Sequence, residues 1–412
     1  MALIRVSVDR EHISGGGAQG ALYLGDVGQL LPQLVEQYAG TVKTLYLDPP
    51  FLTGKRFDMR VHVGEKEWKS GGSSLTVTAY QDLADRETYL SMMRQVLTDS
   101  RELLRDDGMV FLHIDYRMHA RLRLLMDEIY GEDNLLNEII WTYQSGGRST
   151  RHFSRKHDII LFYRKTKAYD FDISQVGVPR TETRHNHMRR HVDADGRVYR
   201  SIRSGGRVYT YYDDEPVPPG DVWDDVSHLQ QKDPQRTGYD TQKPLRLLER
   251  IVLCSAREGE RVCDLFCGSG TTLAAASRLG RSFLGVDKSR VAMNTARRRL
   301  LDAELDVYAE PGEGEPEAQA ELHRGIAFYD VELNAYDPRF GDRAFEGLDA
   351  VDSWSVGYLK NGRFEAESHG MRTRRKPALP TRLQLPVYEG SVAIRIADVY
   401  GRDFYYRFDD EE

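Results

Sequence analysis

The chain has 412 residues, 40% of them hydrophobic, and a formal net charge of −7. That size and apolar content suit one large core or two to three modest domains and exclude a disordered protein, while the negative charge excludes coating nucleic acid by bulk attraction, so any nucleic-acid surface has to be local. No run approaches the roughly 18 apolar residues of a membrane span, and Met1 to Val6 carries no signal pattern, which makes the cytoplasm the expected compartment and a membrane partner unexpected.

From the N-terminus, Leu30, Leu31, Leu34, Val35 and Tyr38 recur at helical spacing, Gly40 stops the run, and Val42 to Leu47 reads as a buried strand. Met109 to Ile114, Glu138 to Trp141 and Asp158 to Tyr163 are further strand candidates, with a helix over about Arg117 to Tyr130. From Tyr169 to Val226 the alternation stops, and an Arg-, Gly- and Tyr-rich stretch with short strand-like pieces around Arg197 to Tyr212 reads as an insertion. Leu245, Leu248, Ile251 and Val252 then mark a helix face, followed by the strand Arg261 to Phe266, the helix Thr271 to Leu279, Gly280 as its stop, and the strand Ser282 to Val286. Helices and strands alternating in this way predict an α/β fold, a doubly wound and mostly parallel sheet. The acidic run Glu310 to Glu321 reads as a linker, because its composition buries little apolar surface. Beyond it, Val392, Ile394 and Ile396 alternate with polar or small residues and Asn361-Gly362 is a hairpin signal, so a small all-β module is expected. The expected organisation is therefore a first catalytic part over 1–168, an inserted region over 169–226, a second catalytic part over 227–305, an acidic linker over 306–324 and a β-rich C-terminal module over 325–412.

Three short stretches carry chemistry. Asp48-Pro49-Pro50-Phe51 stands at the carboxyl end of a predicted strand, where ligands of open α/β sheets bind. An exocyclic amine on a nucleobase is a weak nucleophile because its lone pair is delocalised. A carboxylate and a main-chain carbonyl that accept its two hydrogens would localise that pair and aim it, and an aromatic ring could stack on a base drawn out of the duplex. Taken alone, the four residues also read as a proline turn beside a core phenylalanine. The second stretch runs from Asp264 through Leu265, Phe266, Cys267, Gly268, Ser269 and Gly270 to Thr271 and Thr272, and Asp287 closes the next strand. Glycines at a strand-to-helix turn admit close approach of a ligand, and an acid at the end of the following strand suits ribose hydroxyls. Leu273 replaces the third glycine of a dinucleotide fingerprint, and Asp264 inside the turn suits a ligand ammonium better than a pyrophosphate. Thr241-Gln242-Lys243-Pro244 is the third, opening the helix before the glycine strand, where a proline also serves simple helix initiation.

Only Cys254, Cys263 and Cys267 occur, too few for a disulfide framework; with no histidine nearby and no fourth ligand they read as small buried hydrophobes, and no metal is expected. The local basic surface lies in the insertion, where Arg180, Arg184, Arg189, Arg190, Arg197, Arg200, Arg203 and Arg207 face only Glu182, Asp193 and Asp195.

With these elements in view, the chain resembles the β class of amino-methyltransferases acting on DNA, and is similar to the adenine-specific modification subunits of type III restriction systems. The resemblance rests on Tyr23-Leu-Gly-Asp26, Leu47-Asp-Pro-Pro-Phe51, Phe111-Leu-His-Ile-Asp115, Asn137-Glu-Ile-Ile-Trp141, Phe153-Ser-Arg-Lys-His157, Arg236 to Pro244 and Asp264 to Thr272, and covers roughly residues 20 to 300. It implies a Rossmann-like fold that binds S-adenosyl-L-methionine, with duplex DNA as partner. Asp48, Pro49, Pro50 and Phe51 would grip the target base. Asp264, Phe266, Gly268, Ser269, Gly270, Thr271, Asp287 and Asp26 would hold the cofactor, with Thr241, Gln242, Lys243 and Pro244 near its amino-acid end. The insertion falls where the family carries target recognition, so Arg184, Arg189, Arg190, Arg200, Arg203 and Arg207 would meet DNA. The implied product is N6-methyladenine, because members making N4-methylcytosine typically carry Ser at the position of Asp48. N4-cytosine methylation, transfer to RNA or protein glutamine, and a cofactor-binding recognition subunit of a restriction or defence complex stay open beside it, as does a homodimer. Methylation at cytosine C5 needs a Pro-Cys nucleophile that this chain lacks.

Overall fold

The computed structural model describes residues 3–54, 56–64, 75–81, 85–143, 149–177, 188–230, 233–310, 312–339, 345–373 and 375–409. In chain order, β1 (Leu3–Val6), β2 (Arg10–Ser14) and β3 (Gln19–Leu24) lead to α1 (Val27–Tyr38) and β4 (Val42–Leu47). The hairpin β5 (Arg56–Val61) and β6 (Leu75–Gln81) precedes α2 (Arg86–Leu103), β7 (Leu104–Ile114), α3 (His119–Tyr130), β8 (Leu135–Thr142) and β9 (His157–Arg164). The insertion holds β10 (Arg189–Val192), β11 (Val198–Ser204), β12 (Arg207–Tyr212) and β13 (Val222–Trp223). There follow α4 (Leu245–Ser255), β14 (Arg261–Asp264), α5 (Thr271–Arg278), β15 (Ser282–Asp287), α6 (Arg290–Arg299) and β16 (Glu304–Tyr308). The rest is strand: β17 (Glu317–Arg324), β18 (Phe328–Asp337), β19 (Val351–Lys360), β20 (Arg363–Met371), β21 (Arg382–Pro386), β22 (Ser391–Asp398) and β23 (Asp403–Phe408).

The centre of the molecule is the parallel run β16-β3-β15-β14-β4-β7, part of one 15-stranded sheet. Alternation along each strand sends side chains to opposite layers. In β4, Leu45 and Leu47 join the layer of α1, α2 and α3, where Leu31, Leu34, Met93, Val96 and Leu122 are buried, whereas Tyr46 faces α4, α5 and α6 with Leu248, Leu273 and Met293. Helices thus cover both faces, the doubly wound arrangement read from the sequence. The order also locates a crevice. From β4 the chain crosses through α2 to β7 on one side, and from β14 it crosses through α5 to β15 on the other. Because β4 and β14 are neighbours, the loops leaving their carboxyl ends diverge and open a switch-point crevice.

Several expectations change. Helix α2 has no counterpart in the sequence reading, although Asp85 caps it by accepting from the N–H groups of Glu87 and Thr88 and its buried face runs through Tyr89, Met93, Val96, Leu97 and Ser100. The acidic linker expected over 306–324 is instead largely strand. Glu304 to Tyr308 completes β16, and in β17 Ala320 is buried, with Ala318 and Leu322 packed on the same cluster while glutamates point outward. Half-buried alternation with small residues was enough to make a strand of it. The β-rich region is not a separate body either: β20 pairs with β2, and β23 pairs with β1, so the central sheet runs on into it.

A buried ion cluster ties this continuation to the α/β part. Arg297 of α6 lies 2.9 Å from Glu11 of β2 and 3.2 Å from Asp403 of β23, and Arg395 of β22 also pairs with Asp403. Arg395 donates to Asn294 at 3.1 Å and the Tyr405 hydroxyl to Glu11 at 3.4 Å. Two guanidinium groups therefore face two carboxylates, all of them buried. Among the described residues no helix is long and apolar enough to cross a membrane.

Candidate active site

At the carboxyl ends of β4 and β14 lies a cleft of about 1020 Å³ lined by Asp48 and Pro50 from the first strand, Asp264 to Ser269 and Thr271 from the second, Asp287 from β15 and Asp26 before α1. Asp264 is in register with Tyr46, so the loop carrying Asp48 leaves the sheet beside the glycine loop. The two motifs therefore open into one space. Thr241, Gln242 and Lys243 close it from the third motif.

The glycine loop is shaped by backbone that L side chains avoid. Gly268 has φ +50° and Gly270 φ +75°. A Cβ on Gly270 would stand 2.7 Å from the Ala296 Cβ, so this glycine seats α5 against α6 and does not itself line the cleft. Gly270→Ala is expected to lower the thermal midpoint, through about 1–2 kcal/mol of left-handed strain together with that clash; calorimetry showing an unchanged midpoint would contradict it. Asp287 is pinned from two sides, its Oδ2 accepting from the Gly268 N–H and its Oδ1 from the Ser289 N–H, each at 2.8 Å. Each oxygen keeps a lone pair for a further donor. Asp26 caps α1 by accepting from Gly28 at 2.9 Å.

Four carboxylates, Asp26, Asp48, Asp264 and Asp287, and two ammonium groups, Lys243 and Lys288, line the cleft, so it favours a cation. Asp264 feels this most. Burial pushes its carboxyl up to about 7, against hydrogen bonds from the Thr272 hydroxyl and the Phe266 N–H, and the carboxylates of Asp48 and Asp287 add to the rise. Burial likewise raises Asp287, with the Ser289 and Gly268 N–H groups opposing.

Asp48 is held by Lys243, whose Nζ lies 2.5 Å from Oδ2. The same ammonium stands 5.1 Å from the centre of the Phe51 ring. Beneath Phe51 is the buried His113, its ring 6.1 Å away and inclined by 27°. The Tyr46 hydroxyl fixes the Nδ1 side of His113 at 2.8 Å and Asp158 the Nε2 side at 3.3 Å, while Tyr143 donates to the other oxygen of Asp158 at 3.1 Å. Trp141 meets His113 edge-on at 5.6 Å, and His228 packs beside Trp141 and Tyr143. An aromatic and polar box thus adjoins the Asp48 carboxylate.

Not every expected residue reaches the cleft. Pro49 is buried behind it, and Pro244 starts α4 without lining it. Gln242 spends its amide on its own loop, accepting from the Thr237 N–H and donating to the Gln235 carbonyl. In the insertion, Arg180 and Arg184 lie outside the described residues, whereas Arg189, Arg190, Arg200, Arg203 and Arg207 occupy the three-stranded sheet β10-β11-β12. Register pairs Arg190 with Arg200 and Ser204 with Arg207 on one face, whereas Arg189 and Arg203 lie on the other. Arg200 is moreover engaged by Asp213 at 3.0 Å. Tyr46 and Lys288 were missed by the sequence reading, and Tyr239, His113 and Trp141, though they stand in motifs that carry the resemblance, were given no role by it. A histidine inside the otherwise apolar run Phe111 to Ile114, on the strand next to β4, was the available signal. All three cysteines are buried, with their thiols pushed up by burial, that of Cys254 to about 12.

Residues 42–298 match the N6_N4_Mtase family model, described as DNA methylase. Over 304 residues the chain is 30% identical to the type II methyltransferase M.EcaI of Enterobacter cloacae, a match covering 63% of this chain and 64% of that one. It is 26% identical over 277 residues to the DNA adenine methyltransferase YhdJ of Escherichia coli (strain K12), covering 66% of this chain and 81% of the relative. The crystal structure of an M1.HpyAVI–SAM complex superposes with a TM-score of 0.42 at 16% identity over 68% of this chain and 99% of that one. The chain spans less than two thirds of M.EcaI and only 62% of the type II methyltransferase M.HpaI of Haemophilus parainfluenzae.

Proposed function

The chain belongs to the DNA methylase family, and on that premise we propose that it transfers a methyl group from S-adenosyl-L-methionine to N6 of an adenine turned out of duplex DNA, in the cytoplasm. One observation carries the reading: the Asp48 loop and the glycine loop leave adjacent parallel strands into a single acidic cleft. The donor set fits the cofactor. Asp264 suits its ammonium, and Asp287 has lone pairs for ribose hydroxyls beside a glycine loop that lines the cleft. Bound there, it supplies a methyl group on a sulfonium, an already cationic leaving group.

The chain's own residues then orient the nucleophile. Asp48 accepts one hydrogen of the exocyclic amine on Oδ1, since Lys243 occupies Oδ2, and a main-chain carbonyl of the diproline accepts the other. Proline supplies that carbonyl in a stiff backbone with no competing N–H. Phe51 stacks on the base from a ring already backed by His113. Lys243 balances the charge of Asp48 in a cleft that otherwise gathers carboxylates. Positioning of this kind can supply about 7–11 kcal/mol of barrier reduction. The test is labelled-methyl transfer to duplex DNA followed by nucleoside analysis: N6-methyladenine is expected, N4-methylcytosine would overturn the choice of base, and absence of transfer the proposal.

Asp264 gives this reading a pH dependence. Its raised carboxyl is protonated below about 7 and cannot then pair with an ammonium, so cofactor affinity should rise as pH increases through that value. For stability the sign reverses: the folded state holds this proton more tightly than the unfolded chain, so the contribution is fully present below the ordinary carboxylate range and is lost as pH rises through about 7. Calorimetric titration of the cofactor across this range checks the first statement, and Asp264→Asn should flatten the profile. A wild-type affinity independent of pH would refute it.

A further inference from the structure

A second cleft opens between the β5–β6 hairpin, α6 and the turn after β22. Its walls carry Arg60, Arg236, Arg298 and Arg299 against two carboxylates, Asp352 and Asp398. Both acids are already engaged. Arg298 holds Asp352 at 2.6 Å, and Arg402 holds Asp398 at 2.6 Å. Arg236 acts on the carboxyl of Asp240, which lies outside the lining. Arg299, in the last turn of α6, has no carboxylate partner among the described residues: its Nη1 donates to the Ser269 carbonyl at 2.8 Å and to the Thr271 hydroxyl at 3.0 Å, both neutral. Burial and the nearby Arg278 hold its guanidinium down to about 10. Guanidinium groups from the hairpin, the loop before Gln242 and α6 thus line one space with two acids, each of which, among the described residues, is already held by an arginine. Their planar forks match phosphate oxygens, and the concentration of positive charge stands out on a chain of net charge −7.

This cleft shares a wall with the first. The Arg60 N–H donates to the Gly238 carbonyl at 3.2 Å, Met59 bridges to Tyr239, and Tyr239 lines the cofactor cleft. Thr237, in the second cleft, donates to Gln242 at 2.8 Å, immediately before Lys243. Arg299 reaches the back of the glycine loop. A ligand here would lie beside the cofactor cleft, on a strip running toward the C-terminal strands.

We propose that this cleft clamps a backbone phosphate of the DNA, anchoring the duplex beside the cofactor cleft. The proposal rests on the DNA methylation reading, and its test separates the two. Duplex binding by the full chain is measured between about 50 and 200 mM salt. Arg236→Gln should weaken binding by the same factor on unrelated duplexes and lower the slope of log affinity against log salt by about 1, the loss of one phosphate contact. Arg60→Gln, on the opposite wall, should do the same and serves if the Arg236 variant melts early. Unchanged slopes in both would overturn the clamp while leaving methylation standing; a wild-type chain that binds no duplex would overturn both. Inorganic phosphate is the second arm. If it raises the thermal midpoint of the wild type but not of the variants, while their DNA slopes match wild type, the cleft takes a small free anion and the backbone assignment falls.

Discussion

Asp48→Ala is expected to reduce methyl transfer to duplex DNA by at least about 10³-fold while leaving cofactor affinity near that of the wild type. The size follows from what Asp48 is asked to do. An acceptor aimed at a developing charge in a partly enclosed site is worth about 10²–10³ in rate, and here it also orients the nucleophile. The side chain is half-buried beside Lys243, and its removal leaves that ammonium facing the place where the amine should sit. Single-turnover rates with preformed protein–DNA complex isolate the chemical step, and equilibrium dialysis reads cofactor binding. A rate within tenfold of wild type would remove Asp48 from the role. A secondary effect checks the electrostatics: because the Asp48 carboxylate helps to raise Asp264, the midpoint of the cofactor pH profile should move down in the variant.

Arg297→Met is expected to lower stability by about 3–5 kcal/mol, the range for removing one partner of a buried ion pair. Methionine fills much of the volume, so the loss is chiefly electrostatic. Glu11 and Asp403, both buried, would then share Arg395 as their remaining ion-pair partner. Adding Glu11→Gln should recover part of the loss, since it removes the carboxylate left uncompensated. Chemical denaturation of the two single variants and the double variant gives the coupling directly. A loss below about 1 kcal/mol in Arg297→Met, or strict additivity in the double, would show that the cluster does not act as a unit.

The fold class and the places of the motifs along the chain were legible in the sequence; their meeting in space was not. Asp48-Pro49-Pro50-Phe51 and Asp264 to Thr272 were readable because each sits where a buried apolar strand ends, and strand ends are where open sheets keep their ligands. That the two strands are neighbours was not readable, because about half of the chain lies between β4 and β14. Lys243 shows the same limit. Its place in the third motif was expected near the cofactor, yet its contact is with Asp48 and Phe51, which only the tertiary arrangement supplies. His113 and Asp158 come from β7 and β9, an antiparallel pair whose register no local pattern dictates. The acidic stretch misled for a different reason: composition measures average solubility, whereas Ala318, Ala320 and Leu322 needed only one apolar face to dock. The arginines of the insertion were rightly seen as dense, but strand alternation divides them between two faces, so density along the chain was not density on a surface.

The pairing of β20 with β2 and of β23 with β1 has an evolutionary consequence. Strands β1 and β2 form one structural unit with β20 and β23 although most of the described chain lies between them. A recombination event that exchanged only the final strands for those of a cousin would leave β1 and β2 with backbone amides facing a foreign edge, and bare edges invite aggregation. Productive shuffling would have to trade β1 and β2 together with their partner strands, leaving the catalytic middle untouched.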